Sequence, residues 1–203
     1  MKTKNKNLEI EIRGPLARGQ YKRLALKIAR EHSIVLQEVR QIVIFYKKNN
    51  KDFRIKWDKN KTFFEFVYKS KKGTQRTIRE ELVVKIDKKE INDFLTVLDR
   101  LGLKRGFISP NNRIDIATPL VIWSFKTGAV IGDYWEAEAT KELLTKFKNE
   151  KDKIKNYLED LARRYGLSVW DDIEFRKIRK EKWHNVEPLK NSQIVKLLAY
   201  EKY

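Results

Sequence analysis

The chain has 203 residues, with 46 Lys+Arg against 28 Asp+Glu for a formal net charge of +18, 41% hydrophobic and 11% aromatic residues, and no cysteine. That apolar content can fill a core and excludes a chain disordered throughout, while the length suits one domain with at most a terminal extension. Without cysteine, disulfides, thiolate metal sites and a cysteine nucleophile are excluded, and the positive field points to polyanions as partners.

The N-terminus is positively charged but lacks the apolar stretch of about 7–15 residues that an export signal requires. The most apolar window, residues 117–125, is far short of the about 18 residues of a membrane span. A soluble, cytoplasmic protein with no membrane partner is therefore expected. Leu8 to Arg13 alternate apolar and charged, which at period two is a strand with Leu8, Ile10 and Ile12 on one side and Glu9, Glu11 and Arg13 on the other. Gly14-Pro15 ends it. Residues 16–32 carry Leu24, Ala25, Ile28 and Ala29 at helical spacing. Gly14 and Gly19 have the spacing of a P-loop, but Gln20 and Tyr21 stand where Lys and Ser/Thr are required.

Four strand-like runs follow, at 38–47, 52–58, 62–71 and 75–87, separated by turn residues such as Asn49-Asn50 and Lys72-Gly73. Asp87 caps a helix over 88–101 that Gly102 stops. Further extended runs are read at 104–109, 112–117, 119–127 and 130–139, with Pro110-Asn111-Asn112 and Thr127-Gly128 as corners. A long helix over 140–165 stops at Gly166. Helical stretches at 171–182 and 191–200 finish the chain.

Taken at period two, one face of these strands collects Glu9, Glu11, Arg13, Arg54, Lys56, Glu65, Lys69, Lys71, Arg79, Glu81, Lys85, Arg113, Asp115, Glu136 and Glu138. The opposite face is apolar, from Ile10 and Ile12 through Trp57, Phe64, Leu82 and Val84 to Trp135 and Ala137. About eight such strands suffice to close a barrel. The expectation is an α+β fold: a closed antiparallel β-barrel whose charged tunnel holds carboxylates and a majority of Arg and Lys, wrapped outside by helices. Residues 1–170 would form the tunnel domain and 171–203 a basic helical extension packed on or beside it.

Glu9-Ile10-Glu11-Ile12-Arg13 resembles the ExExK signature of the CYTH superfamily, the triphosphate tunnel metalloenzymes that include class IV adenylyl cyclases and thiamine triphosphatases. Phe53-Arg54-Ile55-Lys56, Val67-Tyr68-Lys69 and Arg79-Glu80-Glu81 follow in the order of that family's strands. Gly132-Asp133-Tyr134-Trp135-Glu136-Ala137-Glu138 is similar to its late ExE strand. Three features depart from the pattern: Arg13 stands where Lys is usual, the strand around Asn112-Arg113 offers one basic residue where relatives often have two or three, and Lys126 stands near the place of an acidic residue.

The resemblance implies a metal-dependent enzyme acting on a triphosphate. Glu9, Glu11, Glu136 and Glu138 would be its catalytic metal ligands for Mg²⁺ or Mn²⁺, which prefer oxygen donors. Arg13, Arg54, Lys56, Lys69, Arg79 and Arg113 would clamp the phosphates, since triphosphate chemistry is largely positioning and charge neutralisation. Hydrolysis of a nucleoside or organic triphosphate stands first. Cyclisation of ATP to cyclic AMP and pyrophosphate, RNA 5′-triphosphate hydrolysis, and non-catalytic binding of polyphosphate, nucleotide or RNA remain open. The basic run Arg176, Lys177, Arg179, Lys180 and Lys182 offers a surface for RNA.

Overall fold

The computed structural model describes residues 7–17, 19–48, 51–71 and 78–200, with side chains except at 7, 8, 47, 51, 70, 71, 78–80 and 200. In chain order the elements are β1 (Asn7–Pro15), α1 (Gln20–Glu31), β2 (Glu38–Lys48), β3 (Lys51–Asp58), β4 (Phe63–Lys71), β5 (Ile78–Asp87), α2 (Ile91–Arg100), β6 (Arg105–Ala117), β7 (Val121–Thr127), β8 (Tyr134–Ala139), α3 (Lys141–Lys146), α4 (Lys151–Arg164), α5 (Asp172–His184), β9 (Leu189–Lys190) and α6 (Asn191–Tyr200). The Asp87 carboxylate accepts a hydrogen bond from the Lys89 amide at the 3-10 turn that leads into α2, and Gly102, at φ 83°, stops that helix in the left-handed region a side chain would disfavour.

Nine strands join in the order β2-β3-β4-β5-β1-β8-β7-β6-β9, and β6 also pairs with β2, from Glu38 opposite Ile114 to Phe45 opposite Phe107. All pairings are antiparallel. The main eight strands form a curled half-barrel rather than the closed, tunnel-forming barrel expected from the sequence. Among the described residues β1 meets β5 only from Asn7 to Ile10. Leu82, Val83 and Val84 are consecutive, hence on both faces of β5, and are 53%, 49% and 54% exposed, so β5 is covered on neither side there. Leu82 and Val84 therefore do not join the apolar core, and Lys85 is exposed rather than enclosed.

Two other expectations change. Pro110-Asn111-Asn112 is no corner but the middle of β6. At Pro110 the strand is paired with β2 alone, because β7 pairs from Asn112 onward and β9 only at Arg105 and Gly106, so a residue without an N–H fits on the free edge. The long helix expected over 140–165 is broken into α3 and α4, with Lys148 and Asn149 at φ 49° and 59° between them. Thr140 caps α3 by accepting from the Leu143 amide. The expected strand 130–139 begins only at Tyr134.

The apolar face of the sheet is where the helices lie. Ile10, Ile12, Ile116, Trp123, Phe125 and Trp135 pack with α1 and with Ile154, Leu158 and Ala162 of α4. Ile44, Tyr46, Ile55, Trp57 and Phe64 pack with Leu95 and Leu98 of α2 and with Ile194 and Leu198 of α6. Asn191 fastens α6 in place: its side-chain oxygen accepts from the Tyr46 hydroxyl at 2.9 Å, and its amide donates to the Leu103 carbonyl at 2.9 Å. At Gly14 a Cβ would lie 1.8 Å from the Ser168 carbonyl oxygen, so only glycine lets the segment before α5 cross β1, where the Trp170 amide donates to the Arg13 carbonyl. No helix among the described residues is long and apolar enough to cross a membrane.

Candidate functional site

Strand alternation sends the charged residues to the face that the outer helices leave bare, and the curl of the sheet brings them together. β1 is buried on both sides: Ile10 and Ile12 at 0% and 3% exposure against the helices, Glu9 and Glu11 at 5% and 4% on the ionic side. Buried charges need partners, and here the pairs skip strands, as side chains on a concave surface can. Lys69 on β4 reaches Glu9 on β1 and Glu81 on β5, at 2.5 and 3.0 Å. Lys56 on β3 lies 3.7 Å from Glu81. Arg113 on β6 reaches Asp58 on β3 at 3.1 Å and Asp115 at 3.0 Å.

Two further groups complete this face. Arg54 holds both oxygens of Asp52, at 3.1 and 2.8 Å, with its guanidinium 5.0 Å from the Phe45 ring centre. Arg13 is paired with Glu11, and its Nη1 is 3.9 Å from Glu136, which Lys126 on β7 also engages. Carboxylates and cations thus alternate across the described residues of this face. The Arg79 side chain, expected to join the clamp, lies outside the described residues.

The four glutamates expected as metal ligands divide. Oxygens of Glu9, Glu11 and Glu138 all lie within 4.8 Å of one another, whereas Glu136 stands apart with Lys126 and Arg13. Their acidities differ for the same reason. Burial, followed by the charge of Glu9, pushes the Glu138 carboxyl up to about 7. Burial would also raise Glu136, but Lys126 and Arg13 outweigh it and hold this carboxyl well below the usual carboxylate range. Burial and the neighbouring Lys69 lower the Lys56 ammonium. Burial opposes the charge on Arg54, and Asp52 more than restores it.

One edge of the ionic face is covered by α5, whose Phe175, Arg179 and Trp183 recur at helical spacing on one side. The Arg13 guanidinium lies 4.5 Å from the Phe175 ring centre, and the Trp183 ring meets Phe45 and Phe107 edge to face at 5.1 and 5.5 Å. Under the helix, among the described residues, lies a cavity of about 40 Å³ lined by Arg54, Tyr134 and Glu136 among others, room for little more than a water. A larger cavity of about 570 Å³ lies between β1, α4 and the segment before α5, with Glu11, Arg13, Lys155 and Arg163 on its wall. Its size is in the range of small-molecule sites. Of the basic run read as an RNA surface, Arg179 turns toward the smaller cavity, while Arg176, Lys177, Lys180 and Lys182 are exposed.

Sequence reasoning did not assign Asp52, Asp58, Ser124 or Lys126 to the ionic face, although it marked Lys126 as a departure from the family pattern. The alternation that found their neighbours extends to them. Val121, Trp123 and Phe125 are buried among the helices, so Ser124 and Lys126 must point the other way.

No protein-family model matches the chain, and no curated protein matches it by sequence. Solved structures do match it by shape. PH1819 from Pyrococcus horikoshii OT3 aligns with a TM-score of 0.62 at 20% identity, over 84% of this chain and 99% of that one. A candidate adenylate cyclase from Vibrio parahaemolyticus aligns with a TM-score of 0.60 at 11% identity, over 86% and 98%. HpAC1 from Hippeastrum, an adenylyl cyclase candidate with a dominant triphosphatase activity, aligns with a TM-score of 0.53 at 17% identity, over 86% and 95%. At these identities the likeness is one of fold, which this chain shares with PH1819, the Vibrio protein and HpAC1.

Proposed function

We propose that this CYTH-type chain binds a triphosphate on its ionic concave face and hydrolyses it with the help of Mg²⁺ or Mn²⁺. The observation that carries the reading is the convergence of Arg13, Arg54, Lys56, Lys69 and Lys126 with Glu9, Glu11 and Glu138 on one buried face, five cations and three clustered carboxylates drawn from five strands. The reported triphosphatase activity of HpAC1 supports hydrolysis ahead of cyclisation, which the cyclase names of other structural neighbours keep as the alternative.

The donor set fits a hard divalent ion. Glu9, Glu11 and Glu138 offer oxygens close enough to share one cation, and burial, followed by the charge of Glu9, makes the Glu138 carboxyl harder to ionise until a cation joins it. When bound, such an ion polarises a phosphoryl oxygen and favours ionisation of an attacking water. The chain's own residues do the rest. Arg54 and Lys56, two apart on β3, present their charges about 7 Å apart along one face, so that they can engage opposite ends of a triphosphate. Lys69 and Arg13, now held by Glu9 and Glu11, are available to phosphate oxygens once those carboxylates turn to a metal. Arg54→Ala and Lys56→Ala should each weaken binding of inorganic triphosphate by about 1.5–3 kcal/mol, the size of a charge-assisted hydrogen bond, measured by titration calorimetry. Unchanged affinity in both would refute the clamp.

A second reading, an RNA 5′-triphosphate as substrate, is favoured by α5: its inner side roofs the ionic face while its outer side exposes Arg176, Lys177, Lys180 and Lys182.

A further inference from the structure

The two E-x-E pairs look equivalent in the sequence, yet their last two members have opposite surroundings. Glu138 shares a 4.8 Å cluster with Glu9 and Glu11. Glu136, two residues earlier on the same face of β8, is held by the Lys126 ammonium through a short hydrogen bond to Oε2, with Arg13 Nη1 3.9 Å from Oε1. Lys126 is itself fixed. Its ammonium lies 5.1 Å from the Tyr134 ring centre, and Asp115 on neighbouring β6 is engaged by Arg113 at 3.0 Å and by the Ser124 hydroxyl at 2.6 Å. Lys126 and Glu136 are both only about one-seventh exposed, at 14% and 15%.

We propose that Lys126 takes the place of a second divalent ion, so that the site holds one Mg²⁺ or Mn²⁺, on Glu9, Glu11 and Glu138, beside a tethered ammonium seated on Glu136. The inference rests on the metal-assisted reading above and adds the stoichiometry and the residue that sets it. A divalent ion on Glu136 would lie against Lys126 and Arg13 outside any group of three carboxylates among the described residues, whereas at Glu9, Glu11 and Glu138 three clustered carboxylates offset the nearby Lys69 and Arg13. An ammonium differs from such an ion in useful ways. It is covalently attached and needs no dehydration, and with one of its three N–H donors on Glu136 it has others to offer a phosphate oxygen. Lys126 is thereby a specificity-setting residue for charge at this site rather than a structural ion pair.

The test is a titration of the full chain with Mn²⁺ alone, free ion being followed by electron paramagnetic resonance, with thermal melts to verify folding. The wild type should take up one Mn²⁺. Glu138→Gln should weaken that uptake at least about tenfold, while Glu136→Gln should change it by less than about threefold. Lys126→Met, which keeps the length of the side chain and removes its charge, should admit a second Mn²⁺. Two ions in the wild type, or equal losses in Glu136→Gln and Glu138→Gln, would overturn the assignment of Lys126 while leaving the metal reading intact. No uptake by the wild type would instead overturn the metal reading and this inference with it.

Discussion

Lys69 on β4 places its ammonium 2.5 Å from a carboxylate oxygen of Glu9 on β1, although β5 lies between the two strands. The side chains are only 3% and 5% exposed, so each charge depends on the other in place of water. Lys69→Met should therefore destabilise the fold by about 3–5 kcal/mol in denaturant unfolding, since it leaves Glu9 and Glu81 without their shared cation. Lys153, whose pairing with Glu150 is 62% and 50% exposed, is the control, and Lys153→Met should cost no more than about 1 kcal/mol. Equal effects would mean that the ionic face is open to water.

Asp58 gives the pH dependence. Burial would raise its carboxyl, but hydrogen bonds from Lys61 and Gln41 and the charge of Arg113 lower it overall. A group lowered in the folded state contributes stability above its unfolded value of about 3.9 and loses that contribution as pH falls through the folded value. Asp58→Asn should thus cost about 1–3 kcal/mol at pH 7, and its deficit relative to the wild type should shrink below about pH 4. A deficit constant from pH 7 to pH 3 would contradict the ionic role.

Much of this site was legible because a strand's period of two is insensitive to context. Glu9, Glu11 and Arg13 against Ile10 and Ile12 could be assigned to faces from the sequence alone, and the structure puts them there. Partners across the sheet were not legible. That Lys126 meets Glu136, and that Glu138 rather than Glu136 joins Glu9 and Glu11, depends on the β7–β8 and β1–β8 registers, which no local pattern states. Pro110 misled for a physical reason as well: its missing N–H marks a corner in most strands, but here it sits where β6 has a neighbour on one side only. The break at Lys148 and Asn149 is likewise invisible to periodicity, because apolar residues at helical spacing continue from Leu143 and Leu144 to Ile154 and Leu158.

The outer side of α5 decides between small and large substrates. If RNA lies along it, log affinity should fall linearly with log salt concentration, with a slope near −0.7 for each phosphate contacted on a single strand. Reversing Arg176, Lys177 and Lys180 to Glu should flatten that slope while turnover of inorganic triphosphate is kept. Affinity and slope unchanged by the reversals would leave these residues as a solvated face.

The most direct measurement incubates the purified chain with ATP and, separately, inorganic triphosphate, with Mg²⁺ or Mn²⁺, and identifies products by phosphorus NMR. The account predicts orthophosphate released only when the divalent ion is present, and a fall of orders of magnitude in Glu138→Gln with folding retained. Cyclic AMP with pyrophosphate would move the reaction to cyclisation on the same residues. Neither turnover nor binding of any triphosphate at saturating divalent ion would contradict the assignment of the ionic face as a triphosphate site.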